Sequence, residues 1–182
     1  FIMVETLLTK YGIKQIGYYV ESIEETARAM RERLGAGPFI DLGANKPSSL
    51  LYRGNESGTL TRCAIGNLGD MQLELIEVLT DEPDVYKDLG HYGMHHICIW
   101  VDDVAAVKEE FEQAGIEAAM EMVSSQGMPV IYFDAREQLG SFIEVNPPLD
   151  QLAGAAKALH EKATPEMPDV LPMEQLMGMM GR

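Results

Sequence analysis

The apolar and polar residues follow one pattern twice along the chain: a short alternating strand leads into an amphipathic helix. The stretches 13–37 and 94–117 align with each other as an internal repeat. Ser22 and Asp103 stand where the two helices begin, and both residue types cap free N–H groups at a helix N-terminus. Apolar residues then recur at helical spacing, at Ile23, Ala27, Met30 and Leu34 in the first half and at Val104, Val107 and Phe111 in the second.

After each helix the pattern changes to short apolar runs separated by turn residues. The runs that predict strands are 38–42, 49–53, 60–66 and 71–78 in the first half, and 116–122, 129–134 and 141–145 in the second. The sequence therefore predicts an α+β fold of two βαβββ modules, at about 13–80 and 93–146, within one domain of residues 1–148.

A different composition begins after Pro147. Residues 149–162 are predicted to form one amphipathic helix, and the prolines that follow it break regular structure. The methionine-rich residues 173–182 suit an irregular apolar surface, since methionine adapts its shape readily. Residues 149–182 are thus predicted to be a helical tail that covers the sheet or a subunit boundary, with a partly disordered end as the alternative.

Charge and composition narrow the classes of partner. The 182 residues carry 14 Lys and Arg against 29 Asp and Glu, a net charge of −15 that repels nucleic acids and anionic membranes. No apolar run reaches the roughly 18 residues of a membrane span, and residues 1–10 lack the plan of a signal peptide. Two cysteines are too few for a disulfide framework. These features predict a soluble, cytoplasmic protein.

Strand alternation places several polar side chains on the face that the helices leave free. Gln15 and His96 lie on the first strand of each module, and Glu74 and Glu144 lie on the last. An unpaired buried carboxylate costs several kcal/mol, so two such glutamates need a partner. One amide oxygen, one imidazole and two carboxylates are a ligand set for a divalent metal ion, with Zn, Ni, Co, Mn and Fe all allowed.

The same face carries aromatic and sulfur-containing side chains, which are predicted to form the wall of a substrate cavity. These residues are Tyr19, Cys98, Trp100 and Phe142. Alternation points His95 away from His96, and His95 is therefore predicted to lie outside the site.

Paired modules with one ligand position on the first strand and one on the last resemble the vicinal oxygen chelate superfamily. This superfamily includes glyoxalase I, methylmalonyl-CoA epimerase, extradiol dioxygenases and bleomycin-resistance proteins, and the resemblance covers residues 13–146. Residues 93–107, GMHHICIWVDDVAAV, are similar to the stretch of the epimerases in which the second histidine of the pair, here His96, is a metal ligand. The set of Gln15, Glu74, His96 and Glu144 is similar to that of animal glyoxalase I. The resemblance implies a curved mixed sheet around one divalent metal ion.

The function that the resemblance implies is that of a metal-dependent isomerase, epimerase or lyase. Such an enzyme acts on a small carbonyl compound through a metal-stabilised enediolate and a glutamate base, here Glu144 first and Glu74 second. The alternatives are a non-catalytic, antibiotic-type binding protein and an extradiol-type dioxygenase. Tyr19 and Val78 replace an Arg and an Asn of glyoxalase I, the Arg being the one that binds the glutathione carboxylate, so glutathione is not expected. The expected partner is a small-molecule substrate, and a homodimer is left open.

Overall fold

One curved sheet connects the two modules and the tail in this computed structural model, which describes residues 7–180 and the side chains of residues 8–176. The elements up to residue 78 are α1 (Leu7–Tyr11), β1 (Gln15–Tyr19), α2 (Ile23–Leu34), β2 (Phe39–Asn45), β3 (Ser49–Tyr52), β4 (Asn55–Glu56), β5 (Thr61–Leu68) and β6 (Met71–Val78). After a 3₁₀ turn at Lys87–Leu89, the second module contains β7 (Gly93–Trp100), α3 (Val104–Gln113), β8 (Ala118–Val123), β9 (Pro129–Ala135), α4 (Arg136–Leu139) and β10 (Ser141–Asn146). The tail forms α5 (Asp150–Glu161), β11 (Val170–Pro172) and α6 (Met173–Met180).

The two modules meet where their first strands pair. The strand order across the sheet is β11-β2-β5-β6-β1-β7-β10-β9-β8-β3-β4. Strands β1 and β7 run antiparallel, and each runs parallel to the last strand of its own module. The four strands that carry the predicted ligands are therefore adjacent at the centre of the sheet.

The helices begin and pack as the sequence predicts. The Ser22 hydroxyl accepts a hydrogen bond from the Glu25 N–H at 3.3 Å, and the Asp103 carboxylate accepts one from the Ala106 N–H at 2.9 Å. Helix α2 packs on one side of the first module through Ile23 and Ala27, and α3 does the same in the second module through Val104, Val107 and Phe111. Both helices lie on one face of the sheet, which leaves the opposite face for the site.

The hairpin β3–β4 belongs to the first module in sequence but pairs with a strand of the second module. It follows α2 in sequence, yet β3 pairs with β8 of the second module. Leu50 and Tyr52 of this hairpin pack against the apolar cluster on the ligand-bearing face. The first module thus contributes part of the second module's wall.

The described part of the tail packs on the sheet. Strand β11 adds to the edge of β2, and Leu159, Leu171 and Leu176 pack on Ile65. Ile65 lies opposite Glu74 in the β5–β6 register, so the tail packs on the ligand-bearing face of the first module. The side chains of residues 177–182 lie outside the described residues, as does the N-terminal segment 1–6.

Among the described residues, no helix is both long enough and apolar enough to cross a membrane.

Candidate metal centre

Three predicted ligands come together beside the pair of strands β1 and β7, through which the two modules contact each other. The Nε2 atom of His96 lies 3.1 Å from Oε2 of Glu144 and 3.4 Å from Oε2 of Glu74. The three ligand atoms all lie within 4.8 Å of one another. His96 is fully buried, and the side chains of Glu74 and Glu144 are only 13% and 9% exposed.

These atoms are buried, and they have no hydrogen-bond partners. Oε2 of Glu74, Nε2 of His96 and Oε2 of Glu144 are all inaccessible, and none makes a hydrogen bond. Buried polar atoms are almost always satisfied, since leaving one unpaired costs about 1–3 kcal/mol. Because three unsatisfied ligand atoms face one another, the donor set fits a divalent metal ion.

Burial and mutual charge set the protonation of the three side chains. Burial alone lowers the pKa of His96, but Glu144 and Glu74 outweigh it and raise that pKa to about 9. Burial and the charge of Glu144 raise the pKa of Glu74. Burial works the same way on Glu144, but His96 outweighs it and lowers the pKa of this carboxyl. A metal ion at this position would therefore compete with the proton on His96.

Gly17 makes room for the histidine ring. It is aligned with Glu74 on β6 and with His96 on β7. A Cβ atom at this position would lie 1.9 Å from Cε1 of His96. The sequence analysis gave Gly17 no role, because a glycine inside a strand indicates a close approach without naming the group that approaches.

Gln15, the fourth predicted ligand, is buried and pairs with a second amide. Its Nε2 donates to Oε1 of Gln72 at 2.8 Å. This bond orients the Gln15 amide, with the nitrogen toward Gln72. That Gln15 binds a metal stays a prediction, since the convergent group consists of the other three side chains.

Glu144 has two neighbours that limit its movement, Tyr132 and Cys98. Tyr132 lies directly opposite Glu144 in the β9–β10 register, and the Tyr86 hydroxyl donates to Tyr132 at 3.1 Å. The Cys98 thiol lies 3.8 Å from Oε1 of Glu144 and 2.9 Å from Oδ1 of Asn146. Burial raises the pKa of Cys98 well above its ordinary value, so the thiol is a neutral donor and not a nucleophile.

Glu74 has fewer contacts than Glu144. Its Oε2 atom makes no hydrogen bond, and its side chain is 13% exposed against 9% for Glu144. Glu74 is therefore the less restrained of the two carboxylates.

His95 lies in the site, and the prediction from strand alternation was wrong. The β1–β7 register shifts between Gly17 and Tyr18, because Gly17 pairs with His96 and Tyr18 with Met94. This bulge leaves His95 without a partner on β1 and turns it to the same side as His96, at 3.1 Å between the two Nδ1 atoms. Alternation fails at a bulge because the extra residue resets the period of two.

The predicted wall residues differ in how closely they surround the metal centre. Phe142 is fully buried and stacks on His95 with ring centroids 4.9 Å apart. Tyr19 packs in the same cluster, and burial and Tyr92 raise its pKa to about 12. Trp100 is partly buried, and its indole N–H is inaccessible and without a hydrogen-bond partner. Cavities of about 740 and 660 Å³ lie elsewhere, beside α3 and between α5 and α6.

Two arginines next to this wall are already neutralised. Arg53 donates to Asp88 at 2.7 Å and to Asp134 at 2.9 Å. Arg136 donates to Asp134 at 2.7 Å, and its guanidinium lies 5.1 Å from the ring of Phe142. This network attaches the turn after β3 to the second module and leaves little net charge at the wall.

Comparison with known proteins identifies the family. A model described as the glyoxalase/bleomycin resistance protein/dioxygenase superfamily matches residues 14–132. The chain belongs to this superfamily. The resemblance inferred from the sequence is therefore confirmed, and so is the α+β fold. Glu144 lies beyond the matched residues, so the family match does not include it.

Solved structures share the superfamily fold. A hypothetical protein from Bacillus halodurans is 22% identical, with a TM-score of 0.53 over 75% of this chain and 93% of that chain. Methylmalonyl-CoA epimerase from Mycobacterium tuberculosis is 16% identical, with a TM-score of 0.53 over 84% of this chain and 97% of that chain. The Streptomyces coelicolor epimerase in complex with 2-nitronate-propionyl-CoA is 18% identical, with a TM-score of 0.50 over 75% and 96%. Among curated proteins, none matches this chain.

The sequence analysis did not assign Gly17, His95 and Tyr132 to the metal centre. Gly17 had a signal in its position between Gln15 and Tyr19 on the ligand-bearing face. His95 had a signal in the adjacent pair His95-His96, which alternation overrode. Tyr132 had no signal beyond its place in a predicted strand, because its contact with Glu144 depends on the β9–β10 register.

Proposed function

We propose that this protein is a metal-dependent isomerase, epimerase or lyase that moves a proton next to the carbonyl group of a small substrate. The observation that supports it most is the convergence of three unsatisfied ligand atoms from two modules of a superfamily domain. Glu74, His96 and Glu144 would hold one divalent ion, and Gln15 is the proposed fourth ligand. The metal, when bound, would polarise the substrate carbonyl and so acidify the neighbouring C–H bond.

A glutamate of the centre would move the proton, and the contacts of the two candidates differ. The sequence favours Glu144 as the base. In the structure Glu144 lies opposite Tyr132 and beside the Cys98 thiol, and His96 outweighs burial and lowers its pKa, which suits a fixed ligand. Glu74 has fewer restraints and a raised pKa, which suits proton transfer. These differences support Glu74 as the base and Glu144 as the anchor.

The charge of the chain supports a substrate that is not strongly anionic. The structural neighbours named as epimerases act on methylmalonyl-CoA, whose phosphate groups carry several negative charges. This chain has a net charge of −15, and both Arg53 and Arg136 at the wall are paired with aspartates. We therefore propose a small, neutral or weakly charged carbonyl compound with an apolar body, which the cluster around Phe142 and Tyr132 would contact.

The test begins with the metal content of protein purified without chelator, and one equivalent per chain is expected. The chemistry is then read as wash-in of deuterium from D₂O next to the carbonyl of candidate small ketones and aldehydes. Glu74→Gln should keep most of the metal and lose about 10²–10⁴-fold in exchange rate. Glu144→Gln should lose metal affinity instead.

The outcomes separate the alternatives. If Glu144→Gln stays fully metallated and loses exchange while Glu74→Gln keeps it, the two roles are reversed. Tight binding of apolar ligands by a protein that takes up no metal would instead support the binding-protein alternative, and oxygen consumption that depends on Fe(II) would support the dioxygenase. Either of these results would overturn the proposed function.

A further inference from the structure

A chain of contacts runs from the backbone before β7 to the metal centre through His95. This side chain is fully buried, and neither ring nitrogen reaches solvent. Its Nε2 lies 3.0 Å from the carbonyl oxygen of Val85, and its Nδ1 lies 3.1 Å from Nδ1 of His96. Phe142 stacks on one face of the ring, and Tyr86 packs against it with ring centroids 4.9 Å apart. The orientation of His95 is thus fixed on every side.

The partners of His95 determine where its proton is. A carbonyl oxygen only accepts hydrogen bonds, so Nε2 of His95 carries the hydrogen that Val85 receives. The ring is fully buried between the aromatic rings of Phe142 and Tyr86, and because burial disfavours the charged form, this ring is neutral. A neutral imidazole has one N–H, so the Nδ1 of His95 has a lone pair and accepts.

The partner atom on His96 must then be the donor. Two nitrogens 3.1 Å apart form a hydrogen bond only when one of them carries a hydrogen, and that nitrogen is Nδ1 of His96. The other nitrogen of His96, Nε2, is the atom that faces Glu74 and Glu144 without a hydrogen bond.

We propose that His95 is a positioning residue that keeps a hydrogen on Nδ1 of His96, so that Nε2 of His96 is the atom offered to a metal ion. The proposal rests on the metal binding proposed above and adds a partner that orients the histidine ligand from behind. Outer partners of metal ligands fix the hydrogen position and the ring orientation, and their loss costs about 10–100-fold in metal affinity. Here the partner is a second histidine, brought to the same side by the β-bulge.

The same arrangement connects the centre to the segment between the modules. Val85 provides the carbonyl oxygen that fixes His95, and the next residue, Tyr86, donates to Tyr132, which lies opposite Glu144. Asp84 fixes this segment by accepting from the N–H of Lys87 at 3.0 Å. The ligands of the second module are therefore oriented by one short stretch of backbone.

Two variants separate the hydrogen bond from the packing of the ring. His95→Phe keeps an aromatic ring on Phe142 and removes both nitrogens. His95→Asn is smaller, but its side-chain oxygen lies close to the former Nδ1 and can accept from His96. His160→Asn is the matched control, because both ring nitrogens of His160 are likewise hydrogen-bonded, here to the backbone of Gly37 and Gly69, far from the centre.

The first measurement is nuclear magnetic resonance of protein with ¹⁵N-labelled histidines. A hydrogen bond between two nitrogens gives a scalar coupling between them, and we expect it between Nδ1 of His96 and Nδ1 of His95, with the hydrogen on His96. Packing of the His95 ring without this hydrogen bond would not produce the signal. Its absence in the folded parent protein would overturn the proposal.

The second measurement is Zn²⁺ affinity by competition with a chromophoric chelator. We expect His95→Phe to bind Zn²⁺ about 10–100-fold more weakly, His95→Asn to recover most of that loss, and His160→Asn to match the parent. Equal affinity in the parent and in folded His95→Phe would overturn the proposal. If the parent binds no Zn²⁺ while the coupling is present, the metal function fails but the hydrogen-bonded pair stands. If His95→Phe does not fold, the comparison of His95→Asn with the parent decides, and a loss of more than tenfold there would count against the proposal.

Discussion

The two modules share a topology and differ in how firmly they hold their ligands. In the second module, His96 lies 3.1 Å from the buried His95, and Glu144 lies opposite the buried Tyr132 and beside the Cys98 thiol. In the first module, Oε2 of Glu74 makes no hydrogen bond, and the Gln15 amide is tied to Gln72. The pairing registers correspond, since Gln15 lies opposite Gln72 as His96 lies opposite Phe142.

This difference indicates that the two modules have different roles in the proposed metal centre. Preorganised ligands fix the position of a metal ion at little cost when it binds. A carboxylate with few restraints can change its contacts while a proton moves. Under the proposed function, the second module would locate the metal ion, and the first would supply the carboxylate that moves the proton.

We expect the largest effect at Gly17, where strand β1 lies directly against the His96 ring of the second module. Gly17→Ala places a Cβ atom 1.9 Å from the His96 ring, so the ring must move away. We expect metal binding to be lost, with destabilisation of about 1–3 kcal/mol from overpacking, measured by chemical denaturation. Gly154→Ala is the control, since its Cβ would meet nothing within 4 Å. A second substitution, His96→Ala, should restore the stability of Gly17→Ala, and failure to do so would show that the collision is not the cause.

The ligands themselves provide the next comparison. His96→Ala should weaken Zn²⁺ binding by about a hundredfold, and Gln15→Ala by about tenfold, because the histidine is oriented by the second module and the amide only by Gln72. Titration against a competing chelator measures both. Equal losses would contradict the division between the modules.

The arginine network next to Phe142 predicts a dependence of stability on pH. Hydrogen bonds from Arg136 and then Arg53 hold the pKa of Asp134 far below its ordinary value of 3.8. An aspartate of this kind stabilises the fold above its ordinary pKa, and that stabilisation is lost as the pH falls toward the lowered folded pKa. Between pH 5 and pH 3 the parent should therefore lose about 1 kcal/mol more stability than Asp134→Asn does.

The control for this experiment is Asp70→Asn. Asp70 also has a lowered pKa, through Lys157, but this pair lies on the surface, where water and salt screen it. Asp70→Asn should follow the parent at every pH. A parallel response of Asp134→Asn and the parent would mean that the network adds no stability.

We expect the smallest effects at the helix caps, a feature that the two modules share. Ser22 and Asp103 cap equivalent helices through equivalent bonds. Replacing either with Ala should cost about 1 kcal/mol of unfolding free energy, with no change in metal affinity. Thermal and chemical denaturation measure the loss, and a clearly unequal pair of losses would show that one module depends on its helix more than the other.

The sequence predicted much of the fold because its signals are local. Period-two alternation identified the strands, the caps at Ser22 and Asp103 identified the helix starts, and the repeat showed that one arrangement occurs twice. It also gathered Glu74, His96 and Glu144 on one face, since a side chain's face follows from its position in a strand. The pairing of β3 with β8 had no such signal, because strand partners distant in sequence leave no local pattern.

Residue order by itself therefore determined the two modules, the helix-free face and the polar side chains on that face. Only the tertiary structure decided which of these side chains meet and how they are held. The bulge at His95, the room left by Gly17 and the contact of Tyr132 with Glu144 all arise between strands that belong to different parts of the chain. Periodicity assigns a side chain to a face, but the register between strands sets its neighbours, and register is fixed only when the whole sheet packs.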